Sequence, residues 1–203
     1  MKLNDLFQEA HRIGTALWKS SIPQKYKHLP IIGQGATSIV LDNGNDTVIM
    51  LTRDAMKKDW LIHDWGLGLG DWIDTFDAYH QKNRDLSDMP VYVIKLPKLF
   101  PLSNQNKKII KKSIEDYNKI MFWIKKQDSM QKFEEYLEKH PNGLFKELVE
   151  FLQNYEPEQY QVDFLTKNFM QDKNGKIILI DPIVSTEIMD ALKNIKNYKY
   201  NYR

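Results

Sequence analysis

A chain of 203 residues fits one domain, or one domain built as two small lobes, and 42% hydrophobic with 12% aromatic residues excludes wholesale disorder. A net charge of +2 demands no polyanionic partner, and the lack of cysteine excludes disulfides and thiolate metal sites. No apolar run approaches the ~20 residues that span a bilayer, and the charged start MKLNDLFQEAHRIG does not read as a secretory signal. A soluble cytoplasmic protein with no membrane partner is expected.

In chain order, Leu3, Leu6, Phe7, Ala10, Ile13, Ala16 and Leu17 recur at helical spacing over residues 3–19. Ile22-Pro23 and Leu29-Pro30 then break the chain. From Ile31 to Met50 the pattern is β: IIGQGATSIVLD, a turn at Asn43-Gly44-Asn45-Asp46, then TVIML, a hairpin whose first strand carries glycines. RDAMKKDWLIHDWG predicts a short helix ended by the glycines of Gly66–Gly70. DWIDTFDAYH and MPVYVIKLPKLF read as paired strands. After Pro101 the character becomes helical: Ile110, Ile114, Tyr117, Met121 and Ile124 form one stripe with lysines opposite, and QKFEEYLEKH and GLFKELVEFLQNY continue the helical half. A hairpin closed at Asn174-Gly175 and a last helix, TEIMDALKNIKN, complete the pattern. A β-rich half and then a helical half predict an α+β fold of two lobes in one domain, 1–100 and 101–203, hinged near Lys98–Pro101.

Several features have a plain structural explanation. Gly66–Gly70 has no preceding strand and no suitably placed lysine, so it reads as a helix-terminating loop and not a phosphate loop. Trp60, Trp65 and Trp72 read as packing between helix and sheet. His63, His80 and His140 lack metal-ligand spacing, and Lys107, Lys108, Lys111 and Lys112 make a solvated helix face. The tail NYKYNYR interleaves tyrosine with Lys199 and Arg203 and could stack on single strands; a frayed basic tail is the simpler reading, and no nucleic-acid partner is expected.

Two segments carry chemistry. Gly33-Gln34-Gly35-Ala36-Thr37-Ser38-Ile39-Val40 fits G-x-G-x-x-S-x-V, where glycines let main-chain N–H groups approach phosphates. The second segment contains Asp163, Asn168 and Asp181, the last at the end of a buried strand. An Asp on a loop can accept the proton of an attacking hydroxyl. An Asn five residues on and an Asp beyond the next strand supply hard oxygens for Mg²⁺.

D-x-x-x-x-N followed by a hairpin and Asp resembles the catalytic loop and metal-binding Asp of the protein-kinase-like fold. VDFLTKNFMQDKNGKIILIDPIVS is most similar to that segment of early serine/threonine kinases from small lytic bacteriophages, with Asp-Pro in place of Asp-Phe-Gly. The resemblance covers Ile31 to Ser185 in order and layout. It implies a two-lobed kinase-like fold using ATP and Mg²⁺, in the host cytoplasm if the chain is phage-encoded. By the same resemblance Asp163 is the catalytic base, and Asn168 and Asp181 are the magnesium ligands. Gly33, Gly35 and Ser38 would cover the phosphates, Val40 would pack on adenine, and the hinge after VYVIKL would offer main-chain groups to it.

Three departures accompany the resemblance. Gln161-Val162-Asp163 stands where the family has His-Arg-Asp. Met50 stands where the third strand of the family carries a phosphate-binding lysine, so Arg53, Lys57 or Lys58 would have to replace that charge, Lys57 or Lys58 ahead of Arg53. Asp59 is the nearest acidic partner for such a lysine. Only 22 residues follow Asp181, too few for the usual peptide platform. The expectation is a phosphotransferase acting on serine or threonine of a host protein. The alternative is a pseudokinase that inhibits or scaffolds a host protein, and a third reading is a small-molecule kinase of the antibiotic-phosphotransferase type, for whose larger helical lobe the chain lacks room.

Overall fold

The computed structural model describes residues 22–35, 37–63, 67–76, 89–127, 146–152, 154–163 and 165–191, with the side chains of 116–127, 146, 149 and 157 left aside. The helix expected over residues 3–19, the segment QKFEEYLEKH, Trp65, His80, His140 and the tail lie outside the described residues. The fold is mixed α+β and divides into two compact units. One contains the described residues of Met1–Ile62, Leu69–Lys98 and Ser185–Arg203, the other those of His63–Gly68 and Leu99–Val184.

The first unit is a five-stranded antiparallel sheet: β1 (Ile31–Gln34), β2 (Ser38–Asp42), β3 (Thr47–Thr52), β4 (Asp71–Phe76) and β5 (Val91–Pro97), ordered β1-β2-β3-β5-β4. The expected first strand is in fact two, because the chain turns back between Gln34 and Ser38, closed by Gly35 N–H donating to Ser38 O at 2.8 Å. Thr37 and Ser38 then enter the new strand with buried hydroxyls. The second turn falls where Asn43-Gly44-Asn45-Asp46 predicts it. Gly44, Asn45 and Asp46 all take positive φ (70°, 47° and 58°), a left-handed run that glycine, asparagine and aspartate tolerate best.

The central strand β3 is buried on both faces, which is why TVIMLT reads as an unbroken apolar run. On one face Ile39, Leu41, Ile49, Leu51, Val91 and Val93 pack with Ile22. On the other, helix α1 (Ala55–Ile62) lies against β3, β4 and β5 and buries Met56, Lys57, Trp60 and Leu61. Asp54 starts α1 as an N-cap, its Oδ1 accepting from Met56 N at 3.0 Å and Lys57 N at 3.3 Å. The glycine loop does end the helix: the amides of Leu69 and Gly70 donate to Leu61 O at 2.8 and 3.1 Å.

Gly70 has a steric reason to be glycine. A Cβ there would sit 2.4 Å from Leu96 Cδ2 and 2.8 Å from the Lys95 carbonyl oxygen, which belongs to the β5 backbone and cannot swing away. Gly70→Ala is expected to cost about 1–3 kcal/mol, read as a lower urea midpoint at unchanged slope. Trp60 is fully buried, as expected, but Trp72 is 55% exposed. β4 is an edge strand, so Trp72 stands at the rim with its indole N–H on Asp74 O and Thr75 Oγ1.

Ser185 and the helical residues 186–191 belong to this unit. Ser185 N–H donates to Asp54 Oδ2 at 3.2 Å, and Ile188, Met189 and Ala191 are buried.

In the second unit, α2 (Asn104–Gln127) buries Ile110 and Ser113, half-buries Ile114 and leaves Lys107, Lys108, Lys111 and Lys112 exposed, while the side chains of Tyr117, Met121 and Ile124 of the expected stripe lie outside the described residues. α3 (Lys146–Leu152) buries Leu148 and Phe151. A short sheet pairs β6 (Tyr160–Val162) with β9 (Ile183–Ser185). A hairpin pairs β7 (Phe169–Gln171) with β8 (Ile177–Leu179), turning at Gly175 with φ 84°. Asn106 of α2 clasps this hairpin, donating to Gln171 Oε1 and Gly175 O at 2.8 and 2.9 Å. No described helix is long and apolar enough to cross a membrane.

Candidate functional site

Within the second unit the main chain draws Asp163, Asn168 and Asp181 together. Asp163 leaves β6 with its N–H donated to Pro182 O at 2.7 Å. Five residues on, past a 3-10 turn at Thr166–Asn168, the Asn168 carbonyl accepts from Ile180 N at 2.9 Å. Asp181 therefore lies between two residues, 180 and 182, each bonded to one of the other two positions. The Asn168 side chain closes the figure: its Nδ2 donates to Asp163 O at 2.7 Å, and the residue is buried at 4% exposure.

That last bond decides what Asn168 can do. With the amide nitrogen on a carbonyl, the carboxamide oxygen is at the opposite end, and its direction is set by the backbone it is tied to. Asp181 contributes a carboxylate of which Oδ1 is shielded from water. Both are hard oxygen donors of the kind magnesium takes, and two protein oxygens leave the other coordination positions to phosphate and water. Among the described residues no group of three or more His, Cys, Asp or Glu is placed to hold a metal ion. Asp163 is partly exposed at the end of β6. Upstream, burial pushes the Tyr160 phenol above its ordinary pKa, with the Glu158 carboxylate adding to the rise.

In the first unit, cross-strand register puts the remaining candidates on one sheet face. Gly33 pairs with Val40, Val40 with Met50, and Ser38 with Thr52. Met50 is 8% exposed within the sheet, an apolar side chain at the position where the resemblance calls for a lysine. Neither Gly33 nor Gly35 takes a positive φ, and an added Cβ would meet nothing nearer than 3.4 Å and 3.9 Å respectively. The fold itself does not require a bare backbone at these two positions.

The three replacement cations go to different places. Arg53 sends a guanidinium N–H to Met89 O at 3.1 Å. Lys58 pairs with Asp59 at 2.9 Å and lies over the rings of Trp72 and Tyr92. Asp59, the expected acidic partner of whichever lysine serves, is thus bound to Lys58. Lys57 turns inward: at 7% exposure, its Nζ donates to Ser38 Oγ at 3.2 Å and Thr37 Oγ1 at 3.5 Å.

Sequence reasoning overlooks Thr37, Thr52 and Asp54. Thr52 Oγ1 accepts from Ser38 Oγ at 3.0 Å and from Asp54 N at 3.2 Å, and donates to Thr37 O at 3.3 Å, joining the glycine turn to the start of α1. The signal for Asp54 is its place just before the helix, where a capping residue belongs. The Thr52–Ser38 contact depends on register, which the sequence alone does not show. No protein-family model, curated protein or solved structure matches the chain.

Proposed function

We propose that the chain is an ATP- and magnesium-dependent phosphotransferase of two-lobed, kinase-like architecture, reduced in its helical part, acting on serine or threonine of a protein. The observation that carries this reading is the grouping of Asp163, Asn168 and Asp181, in which the buried Asn168 carboxamide is oriented by the Asp163 carbonyl and residues 180 and 182 tie the main chain on either side of Asp181 to Asn168 and Asp163. A β-rich segment with a glycine turn preceding this set in the chain supports the same reading.

In this reading Asp163 accepts the proton of the substrate hydroxyl as its oxygen bonds to the γ-phosphorus. The β–γ bridging oxygen leaves with the electron pair as ADP. Asn168 and Asp181 are the residues that hold magnesium, which when bound neutralises charge on the phosphates. The short β6–β9 ladder and the Asn168 clasp keep the carboxylates from drifting, so the chain's main contribution is position.

The test is incubation with radiolabelled ATP, magnesium and bacterial lysate, beside Asp181→Ala. Labelled phosphoserine or phosphothreonine in the first and none in the second is expected. Absence of magnesium-dependent nucleotide binding by calorimetry overturns the reading. Met50, packed apolar inside the sheet, favours a second reading: a pseudokinase that engages a host protein through its surface. Tight partner binding that survives Asp181→Ala, with no transfer, distinguishes it.

A further inference from the structure

We propose that Asn174 is a site of spontaneous modification, losing ammonia through a succinimide far sooner than Asn43 does, and that the product opens the Asn106 clasp on the β7–β8 hairpin. Asn43-Gly44 and Asn174-Gly175 are the same dipeptide in two turns, and both asparagines are exposed. Glycine presents its main-chain nitrogen with no side chain beside it. A Cβ at Gly44 or at Gly175 would meet nothing within 4 Å, so each turn has room for the ring.

The reaction needs only water. The Gly175 N–H gives its proton to solvent, and the nitrogen's electron pair attacks Asn174 Cγ. The Cγ–Nδ2 bond then breaks, and its nitrogen leaves, protonated, as ammonia. Water opens the succinimide at either carbonyl, giving aspartate or, with the main chain rerouted through Cγ, isoaspartate. The net change is water in and ammonia out.

Ring closure requires a carboxamide that can swing and an N–H that can be lost, and the two turns differ in both. The Asn43 carboxamide is tethered: its Nδ2 donates to Thr47 Oγ1 at 3.0 Å, and that hydroxyl is itself fixed by donating to Gly44 O at 3.0 Å. The Gly44 N–H donates to Asp42 Oδ1 at 3.0 Å, and Oδ2 of the same carboxylate takes the Lys98 ammonium at 2.8 Å. The Lys98 bond, then the Gly44 bond, hold the Asp42 carboxyl below its ordinary pKa, so the Gly44 N–H faces a full negative charge. A charge-assisted bond is the stronger kind, and an anionic nitrogen beside that carboxylate is disfavoured.

The second turn lacks both restraints. Among the described residues none bonds the Asn174 carboxamide; the residue is anchored through its main-chain N–H, which donates to Asp172 Oδ1 at 2.8 Å. The Gly175 N–H donates to a neutral carbonyl, Asp172 O, at 3.1 Å. The Asp172 carboxylate is turned to the amides of Asn174 and Lys176 instead.

The consequence lies one residue on. Asn106 Nδ2 holds Gly175 O at 2.9 Å and Gln171 Oε1 at 2.8 Å. Isoaspartate inserts a methylene into the main chain directly before Gly175 and sets a new carboxylate near that of Asp172. A turn closed by the single Asp172–Gly175 bond cannot keep Gly175 O in place through that change.

The full chain is aged at mildly alkaline pH and its peptides are mapped by mass, with isoaspartate marked by enzymatic methylation. The same chain in urea, where neither turn exists, corrects for local sequence; Asn142-Gly143, outside the described residues, falls on its own peptide. Relative to urea, Asn174 should convert about fivefold or more faster than Asn43, the factor one net hydrogen bond is worth. Thr47→Val frees the Asn43 carboxamide and should raise Asn43 conversion about fivefold with Asn174 unchanged, and Asp42→Asn, at an exposed turn, should raise it too. In the fraction modified at position 174, separated by its added charge, the Asn106 carboxamide protons should exchange with solvent about fivefold faster. Asn43 converting as fast as Asn174 overturns the inference, as does an Asn43 rate that neither variant moves. Unchanged Asn106 exchange in the modified fraction overturns the unclasping.

Discussion

Asparagine in place of Asp163 is expected to lower phosphate transfer by about 10²–10⁴-fold, the range lost with a general base, while MgATP affinity stays near the parent value. The substitution is nearly isosteric. It keeps both main-chain bonds that anchor the residue, N–H to Pro182 O and carbonyl from Asn168 Nδ2. What goes is the negative charge and basicity of the carboxylate, without which the side chain cannot take the substrate proton. Asn168→Ala should behave differently, because it removes a proposed metal ligand together with the bond that fixes the loop, so KM for ATP should rise as kcat falls. Single-turnover and steady-state kinetics on the two variants separate these effects. Asp163→Asn turning over at more than a tenth of the parent rate, an effect under about 1.4 kcal/mol, would remove Asp163 from the chemistry.

The second large effect is on stability. Asp54 is wholly buried and accepts from three main-chain donors, Met56 and Lys57 at the start of α1 and Ser185 near the other end of the chain. Asp54→Ala strips all three at once. Loss of the cap costs about 1–2 kcal/mol, and orphaning a buried N–H adds about 1–3 kcal/mol, so a total of about 2–5 kcal/mol is expected. Asp54→Asn should lose less, since one oxygen can still cap the helix while the amide end faces Ser185 N–H. Urea denaturation measures both; an Asp54→Ala variant within about 1 kcal/mol of the parent would show that these bonds are weak.

The sequence makes some of this plain and hides the rest for physical reasons. Both Asn-Gly turns are local events, because a residue that tolerates left-handed φ is needed within one or two positions, and both fall where the sequence puts them. The α2 stripe is likewise local, with period 3.6 visible in Ile110 and its flanking lysines. Trp72 defeats the sequence reading because its surroundings depend on β4 being the last strand of the sheet, a property of strand order. The split of the first strand is hidden because Gly35-Ala36-Thr37-Ser38 carries neither Asn-Gly nor proline. At the candidate site, residue types and spacing point to Asp163, Asn168 and Asp181. The clasp between Asn168 and Asp163 needs coordinates, as does the inward turn of Lys57, since Lys57 and Lys58 are indistinguishable in composition and differ only in helix phase.

The Asp54–Ser185 bond also bears on how the chain matures during synthesis. Its two ends are 131 positions apart, with most of the second unit encoded between them. At the usual elongation rate of ~5–20 residues per second, Asp54 emerges ~7–26 s before Ser185. For that interval Asp54 can cap its helix but has no Ser185 N–H to accept from, and Ile188 and Met189, buried in the finished unit, are not yet made. The β-rich unit is therefore first to leave the ribosome and among the last parts to be finished, which makes the stretch around Ser185 the point where a stalled or truncated product is most exposed to aggregation.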